Sequence, residues 1–321
     1  MAVYTPVGAE SAMDLLQRYD VGELITLKGI AEGVENTNFF VETSRSRFIL
    51  TLYEKRVDAG DLPFFYAMVD HLHKAGCTVP RFITDRQGRY LQDICGRPAC
   101  LIEFIQGVSV ASPTTAQAAA TGAALGIMHR ALTDFSAIRP NSLGVEAFLP
   151  LMRRCGDAKL DAIFHGLARR IAAECSFIEE RWPSHLPVSA IHGDLFPDNV
   201  LMRGDGVAGL IDFYFACTDI RAYDLAVTHA AWSFSADGGQ YHAALGDAIL
   251  AGYDGQFGIT ADVRSALPTL ARAACLRFLL TRCYDWINTP PSAIVTRKDP
   301  IAFLRRLDYY RSHPHIFEPS E

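Results

Sequence analysis

A chain of 321 residues exceeds what one hydrophobic core organises, since single cores stop growing near about 250–300 residues, so two lobes are expected. Half of the residues are apolar, 21% are charged and 11% are aromatic, which excludes wholesale disorder. A formal net charge of -6 offers no basic field to phosphate backbones or anionic lipid; no nucleic-acid or membrane partner is expected, and the partner should be a small molecule. The N-terminal MAVYTPVGAE has no basic segment followed by an apolar stretch, and no apolar run reaches about eighteen residues, so neither secretion nor membrane spanning is expected. Eight scattered cysteines without CxxC pairs read as reduced core thiols of a cytoplasmic protein.

In chain order, an amphipathic segment over Ser11 to Tyr19 precedes strand-like runs at Leu24 to Leu27, Asn38 to Glu42 and Phe48 to Tyr53, the last two joined by a polar Ser44-Arg45-Ser46 turn. Leu62 to Ala75 has its apolar residues at helical spacing and ends at Gly76, with Pro80 beyond. Two further strands are expected at Arg81 to Thr84 and Pro98 to Ile105, separated by a Gln87-Gly88 turn. From Ser112-Pro113, read as an N-cap with proline in the first turn, helices dominate: Ala116 to Leu132, Leu160 to Trp182, Tyr241 to Phe257, Pro268 to Ile287 and Ile301 to Arg311. One β-like island, Val188 to Phe213, interrupts them.

That island carries the chemistry. It reads Ile191-His192-Gly193-Asp194-Leu195-Phe196-Pro197-Asp198-Asn199, an apolar hairpin around Gly204-Asp205, then Ile211-Asp212-Phe213. With Gly204-Asp205 as a two-residue loop, Arg203 faces Gly206, Asn199 faces Leu210, and Asn199 comes beside Asp212. An amide and a carboxylate at one end of a hairpin are hard oxygen ligands suited to Mg2+, with waters and phosphate oxygens completing the shell. Asp194, five residues before Asn199, faces the same space and is placed to accept a hydroxyl proton.

The spacing resembles the protein-kinase pattern H-R-D-x-x-x-x-N followed by D-F-G, with Gly193 for the arginine and Tyr214 for the last glycine, and the His-Gly-Asp form resembles the aminoglycoside phosphotransferases. The resemblance implies an α+β, bilobal protein-kinase-like fold: a small antiparallel β lobe with one helix over residues 1–105, which binds nucleotide, and a larger, mainly helical lobe over 106–321 with the catalytic loop and substrate site. ATP contacts are then expected at Gly33, Asn36 and Thr37 of the glycine-containing loop and at the Glu103 carbonyl and Ile105 N–H of a hinge-like strand. Where related strands carry a phosphate-gripping cation this chain has Thr51, which leaves Arg47, Lys55 or Arg56 as substitutes; Lys55, four residues on and on the same strand face, is the expected one. His192 is expected to be a hydrogen-bonded scaffold residue and Asp224 to brace the catalytic loop.

From end to end the chain resembles the aminoglycoside-phosphotransferase-like homoserine kinases, on stretches such as Leu50-Thr51-Leu52-Tyr53-Glu54-Lys55-Arg56, Asp61-Leu62-Pro63-Phe64-Phe65, Ile211-Asp212-Phe213-Tyr214-Phe215 and Leu276-Arg277-Phe278-Leu279-Leu280-Thr281-Arg282. This implies ATP-dependent phosphorylation of L-homoserine and places Thr51 in the family's own pattern. Arg277, Arg282 and Asp285 are candidates for the substrate's carboxylate and ammonium, although Arg282 and Asp285, three apart on one helix, also suit a surface ion pair. Residues 221–321 hold ten Lys and Arg against ten Asp and Glu, a balance that argues against a polycationic substrate. The alternatives are a kinase of the same build acting on an aminoglycoside, choline or a methylthioribose-like sugar, and a nucleotide-binding regulator without turnover. Oligomeric state is not encoded in any of these features.

Overall fold

The computed structural model describes residues 4–30, 36–54, 58–289 and 297–318, and the chain divides into two compact units, Met1–Gln106 and Gly107–Glu321. The first unit contains α1 (Ala9–Leu16), β1 (Leu24–Ile30), β2 (Thr37–Thr43), β3 (Arg47–Leu52), α2 (Leu62–Lys74), β4 (Phe82–Ile83), β5 (Leu91–Ile94) and β6 (Arg97–Glu103). Among the described residues the strands form one antiparallel sheet in the order β1-β2-β3-β6-β4, with β5 also paired to β6. Strand alternation decides its faces. Phe39 and Val41 of β2, Phe48, Leu50 and Leu52 of β3, and Leu101 of β6 are buried with Leu15 and Leu16 of α1, Tyr19 and Val21. Truncating a buried leucine such as Leu50 to alanine costs about 2–5 kcal/mol.

The sequence reading anticipated five strands and passed over β5. That strand is four residues long and turns into β6 through Cys95-Gly96, both with positive φ (55° and 72°), a hairpin geometry in which asparagine or glycine ordinarily occupies the first position. Cys95 is accordingly exposed, which corrects the expectation of uniformly buried thiols; the other seven cysteines are buried and free.

The second unit contains α3 (Thr115–Ala131), α4 (Val145–Cys155), α5 (Asp157–Ile163), α6 (Leu167–Arg181), β7 (Val188–Ile191), β8 (Val200–Arg203), β9 (Gly206–Leu210), β10 (Cys217–Ile220), α7 (Arg221–Trp232), α8 (Ala243–Gln256), α9 (Ala261–Asn288) and α10 (Ile301–Ser312). Helix α3 is capped by Thr114, not Ser112: the Thr114 hydroxyl accepts from the Gln117 N–H while the Gln117 side chain accepts from the Thr114 N–H. The expected helix over Leu160 to Trp182 is two helices, broken where Gly166 adopts φ 73°. Helix α9 starts seven residues before Pro268, capped by Thr260, and carries the proline in its interior. Helix α7 went unread because Ala222 to Trp232 are all buried, so no polar stripe marks its period.

Glycine lets α3 and α8 approach backbone to backbone. A Cβ on Gly122 would lie 2.1 Å from the Ile249 carbonyl oxygen, and one on Gly252 would lie 2.1 Å from that of Ala119. Among the described residues no helix is long and apolar enough to cross a membrane.

Candidate active site

The site is assembled on the segment between β7 and β8. Strand β7 pairs antiparallel with β10 and ends at Ile191, so His192, Gly193 and Asp194 emerge from the end of a fixed ladder. Gly193 has φ 74°, and a Cβ there would sit 3.0 Å from the Phe215 carbonyl oxygen, which accounts for glycine where protein kinases carry arginine. A turn of 3-10 helix, Pro197–Asn199, then leads into β8.

The β8-β9 hairpin differs from the expected register. Arg203 does face Gly206, but a bulge between Leu201 and Met202 shifts the far end by one residue, so Val200 pairs with Leu210. Asn199 therefore opposes Ile211, whose N–H donates to the Asn199 carbonyl at 3.0 Å, and not Leu210. The shift brings Asn199 to the residue next to Asp212. Asp212 itself has φ 64°, a left-handed conformation rare outside glycine, and is exposed where β9 ends.

Asn199 Nδ2 donates to the Asp194 backbone carbonyl (2.7 Å) and to Asp194 Oδ2 (3.1 Å). The backbone carbonyl can only accept, so the amide nitrogen must face it and the amide oxygen is the atom left to meet a cation. Burial pushes the Asp194 carboxyl up to about 8; Arg277 and Lys298 oppose this, while Asp212 and Asp198 add to it. The Asp194 carboxyl thus feels the charges of Asp212 and Asp198, which a cation bound there would offset. Asn199 and Asp212 fit that charge as a hard oxygen pair, and among the described residues no cluster of three or more His, Cys, Asp or Glu side chains encloses a metal, so an ion there would depend on water and phosphate for the rest of its shell.

The loop backbone is held from below. Asp224, in the first turn of α7 and fully buried, accepts from the His192 N–H (2.7 Å, Oδ2) and the Gly193 N–H (2.8 Å, Oδ1). Oδ2 also meets His129 Nε2 at 3.1 Å, and His129 Nδ1 meets the Tyr253 hydroxyl at 2.9 Å. Burial alone would raise the Asp224 carboxyl, yet the bond from His129, the charges of His129 and His192, and the Gly193 N–H hold it below the ordinary range. His192 is fully buried; its Nδ1 accepts from the Asp194 N–H and its Nε2 donates to the Ile211 carbonyl at 2.9 Å, tying the loop to the end of β9. Burial keeps this imidazole below its ordinary pKa. Trp232 Nε1 donates to the Leu195 carbonyl at 3.0 Å, and Arg277 donates to the Gly193 carbonyl.

Of the three residues proposed for substrate, Arg277 is thus buried against the loop, its guanidinium 4.6 Å from the ring centre of Phe278. Arg282 donates to the Asp299 carbonyl (3.0 Å) and lies 4.5 Å over Phe303. Asp285 sits further along α9, its carbonyl accepting from the Thr289 N–H. In the first unit, Asn36 and Thr37 are buried; the Thr37 hydroxyl accepts from the Tyr4 N–H (2.9 Å) and donates to Glu54 (2.8 Å). Thr51 is buried and donates to Asn38 Oδ1 at 2.7 Å. The Glu103 side chain pairs with Arg81 at 3.2 Å, and Ile105 follows the end of β6. Gly33 and Lys55 lie outside the described residues. Sequence reasoning missed His129, Tyr253 and Trp232, because a single histidine on an alanine-rich helix and aromatics on buried faces carry no spacing signal.

Residues 26–258 match the model of the phosphotransferase enzyme family. The chain belongs to that family. Over 312 residues, 97% of each chain, it is 48% identical to a homoserine kinase of Methylorubrum populi and 47% identical to one of Zymomonas mobilis subsp. mobilis. Among solved structures it resembles a microcompartment-associated aminopropanol kinase with a TM-score of 0.73 at 18% identity, covering 97% of this chain and 98% of the other. The family's bilobal α+β fold is the one described above.

Proposed function

We propose that this protein is an ATP-dependent homoserine kinase, transferring the γ-phosphoryl group to the side-chain hydroxyl of L-homoserine to give O-phospho-L-homoserine, on the route to threonine. Near-full-length identity of 46–48% to several curated homoserine kinases carries the substrate assignment. The loop geometry supports the chemistry. Asp194 orients the attacking hydroxyl and takes its proton. Asn199 and Asp212 hold Mg2+, which when bound supplies positive charge against the phosphate oxygens. Asp224 and His192 fix the backbone so that the carboxyl and the amide face one another without reorganisation.

The first unit supplies the nucleotide contacts: Gly33, Asn36 and Thr37 toward the phosphates, the Glu103 carbonyl and Ile105 N–H toward the base, and Lys55 as the phosphate-gripping cation in place of Thr51. The Asn36 side-chain oxygen is buried without a hydrogen-bond partner among the described residues, as suits a group that meets a ligand. The bracing bond of Arg277 to Gly193 favours a positioning role for that residue. Arg282, bonded to the Asp299 carbonyl and seated over Phe303, favours a positioning role as well, and Asp285 is given no contact to the substrate.

An ADP-coupled assay of the purified protein with L-homoserine, L-serine, L-threonine, choline and kanamycin tests this reading. Turnover of L-homoserine should exceed that of every other alcohol by at least about tenfold in kcat/KM. Preference for another alcohol, or no magnesium-dependent turnover at all, would overturn it.

A further inference from the structure

Beside the catalytic loop lies an ion pair that the phosphoryl-transfer machinery does not use. Asp198 stands between Asp194 and Asn199 on the loop, and Lys298 Nζ lies 3.5 Å from its Oδ2. The two side chains are about 60% exposed (59% and 61%), and both charges act on the Asp194 carboxyl. Lys298 is delivered to this place by built features: Arg282 of α9 donates to the Asp299 carbonyl, and the Asp299 carboxylate accepts from the Ile301 N–H at the start of α10 (2.9 Å). Beneath the pair is an aromatic floor. Phe196 packs edge-on against Phe278 (4.8 Å between ring centres), Phe278 lies 5.0 Å from Phe303, and Lys298 Nζ is 5.9 Å from the Phe196 ring centre.

Taking homoserine as the substrate, as proposed above, we propose that Lys298 and Asp198 are the specificity-determining pair that reads its two charges: Lys298 receives the α-carboxylate and Asp198 the α-ammonium. An amino acid presents opposite charges on one carbon, so it can open an existing ion pair and satisfy both halves without leaving either charge alone. The exchange costs little, because both side chains of the pair are largely exposed to solvent. The side-chain hydroxyl is two methylenes away from the charged carbon, and those methylenes suit the apolar Phe196 surface beside the pair. A singly charged alcohol that opened the pair would leave one member unmatched, and an uncharged one would gain nothing from either, which is how the pair selects.

Truncated substrates separate the two roles. 3-Amino-1-propanol lacks the carboxylate and 4-hydroxybutanoate lacks the ammonium; each is measured as a substrate and as a competitive inhibitor of L-homoserine phosphorylation. Lys298→Met should lower kcat/KM for L-homoserine by about 10–100-fold, as loss of a charge-assisted hydrogen bond does, and weaken 4-hydroxybutanoate while changing 3-amino-1-propanol by less than about threefold. Asp198→Asn should show the opposite preference between the analogues. In both variants KM for ATP should stay within about threefold, because neither charge is assigned to the nucleotide. The exchange variant Lys298→Asp with Asp198→Lys keeps an ion pair, so recovery of wild-type KM for L-homoserine would mean a merely structural role and overturn the proposal. Equal losses on all three alcohols, or no loss on L-homoserine, would overturn it too. Absence of L-homoserine turnover in the wild type would instead overturn the kinase assignment on which the proposal rests.

Discussion

Replacing Asp224 by asparagine isolates the brace under the catalytic loop. The carboxylate satisfies two backbone N–H groups, at 2.7 and 2.8 Å, and a bond to His129 at 3.1 Å, all fully buried. An amide of the same shape has one acceptor and one donor, so whichever way it sits, a backbone N–H of His192 or Gly193 faces an N–H. An unmet buried donor costs about 1–3 kcal/mol, and the lost charge-assisted bonds add to this, while relief of the carboxylate's own desolvation subtracts. The expected loss is about 3 kcal/mol, or roughly 6–12 °C in Tm for a unit of this size. The loop should also lose its aim, lowering kcat about 100-fold with KM for ATP little changed. Thermal denaturation and steady-state kinetics on the same preparations check both. The pH dependence adds a signature: the folded-state pKa of Asp224 lies below 3.8, so its contribution is fully present above that value and is lost as pH falls through the folded pKa. The stability gap between wild type and variant should be flat from about pH 5 to 9 and close only in stronger acid. A variant within about 2 °C and threefold in kcat of the wild type would refute the bracing argument.

Asp194→Asn should reduce kcat by at least about 1,000-fold while calorimetry still detects ATP binding, and near-normal turnover would remove Asp194 from the role of base. Asn199→Ala and Asp212→Asn should each raise the magnesium concentration needed for half-maximal rate, by about tenfold or more; an unchanged magnesium titration would place the ion elsewhere. His229, bonded to the Tyr310 hydroxyl at 2.7 Å, is held by burial at a pKa of about 3. The unfolded chain binds its proton first as pH falls below 6.5, so stability declines by about 1.4 kcal/mol per pH unit between there and the folded pKa. Denaturation of the wild type between about pH 6.5 and 4.5 should show a loss of roughly 2–3 kcal/mol that His229→Gln lacks. Parallel acid profiles for the two proteins would contradict this.

What the sequence made legible was the chemistry, because HGDxxxxN, an apolar hairpin and IDF are contiguous, and contiguity turns spacing into geometry. The hairpin loop at Gly204-Asp205 followed from turn residues, but the bulge did not, since an extra residue leaves the apolar pattern of β9 almost unchanged. Helix α7, buried on every side, and the prolines inside α4 and α9 defeated rules that rely on a polar stripe and on proline as a boundary. The support of the loop was the least readable part. The family resemblance supplies Asp224 as the brace, but His129, Tyr253, Trp232 and Arg277, which surround the loop with it, come from four helices and meet only in three dimensions.

The crossing of α3 and α8 has a consequence for genetics. Where two main chains touch directly, no rotamer change can make room for even one methyl group, so Gly122 or Gly252 to alanine forces a helix to shift bodily. Helix α3 carries His129, so such a shift also draws on the support of Asp224. Such alleles should yield cells that grow at low temperature and become auxotrophs on warming, giving a conditional handle on the enzyme from positions that contact no substrate.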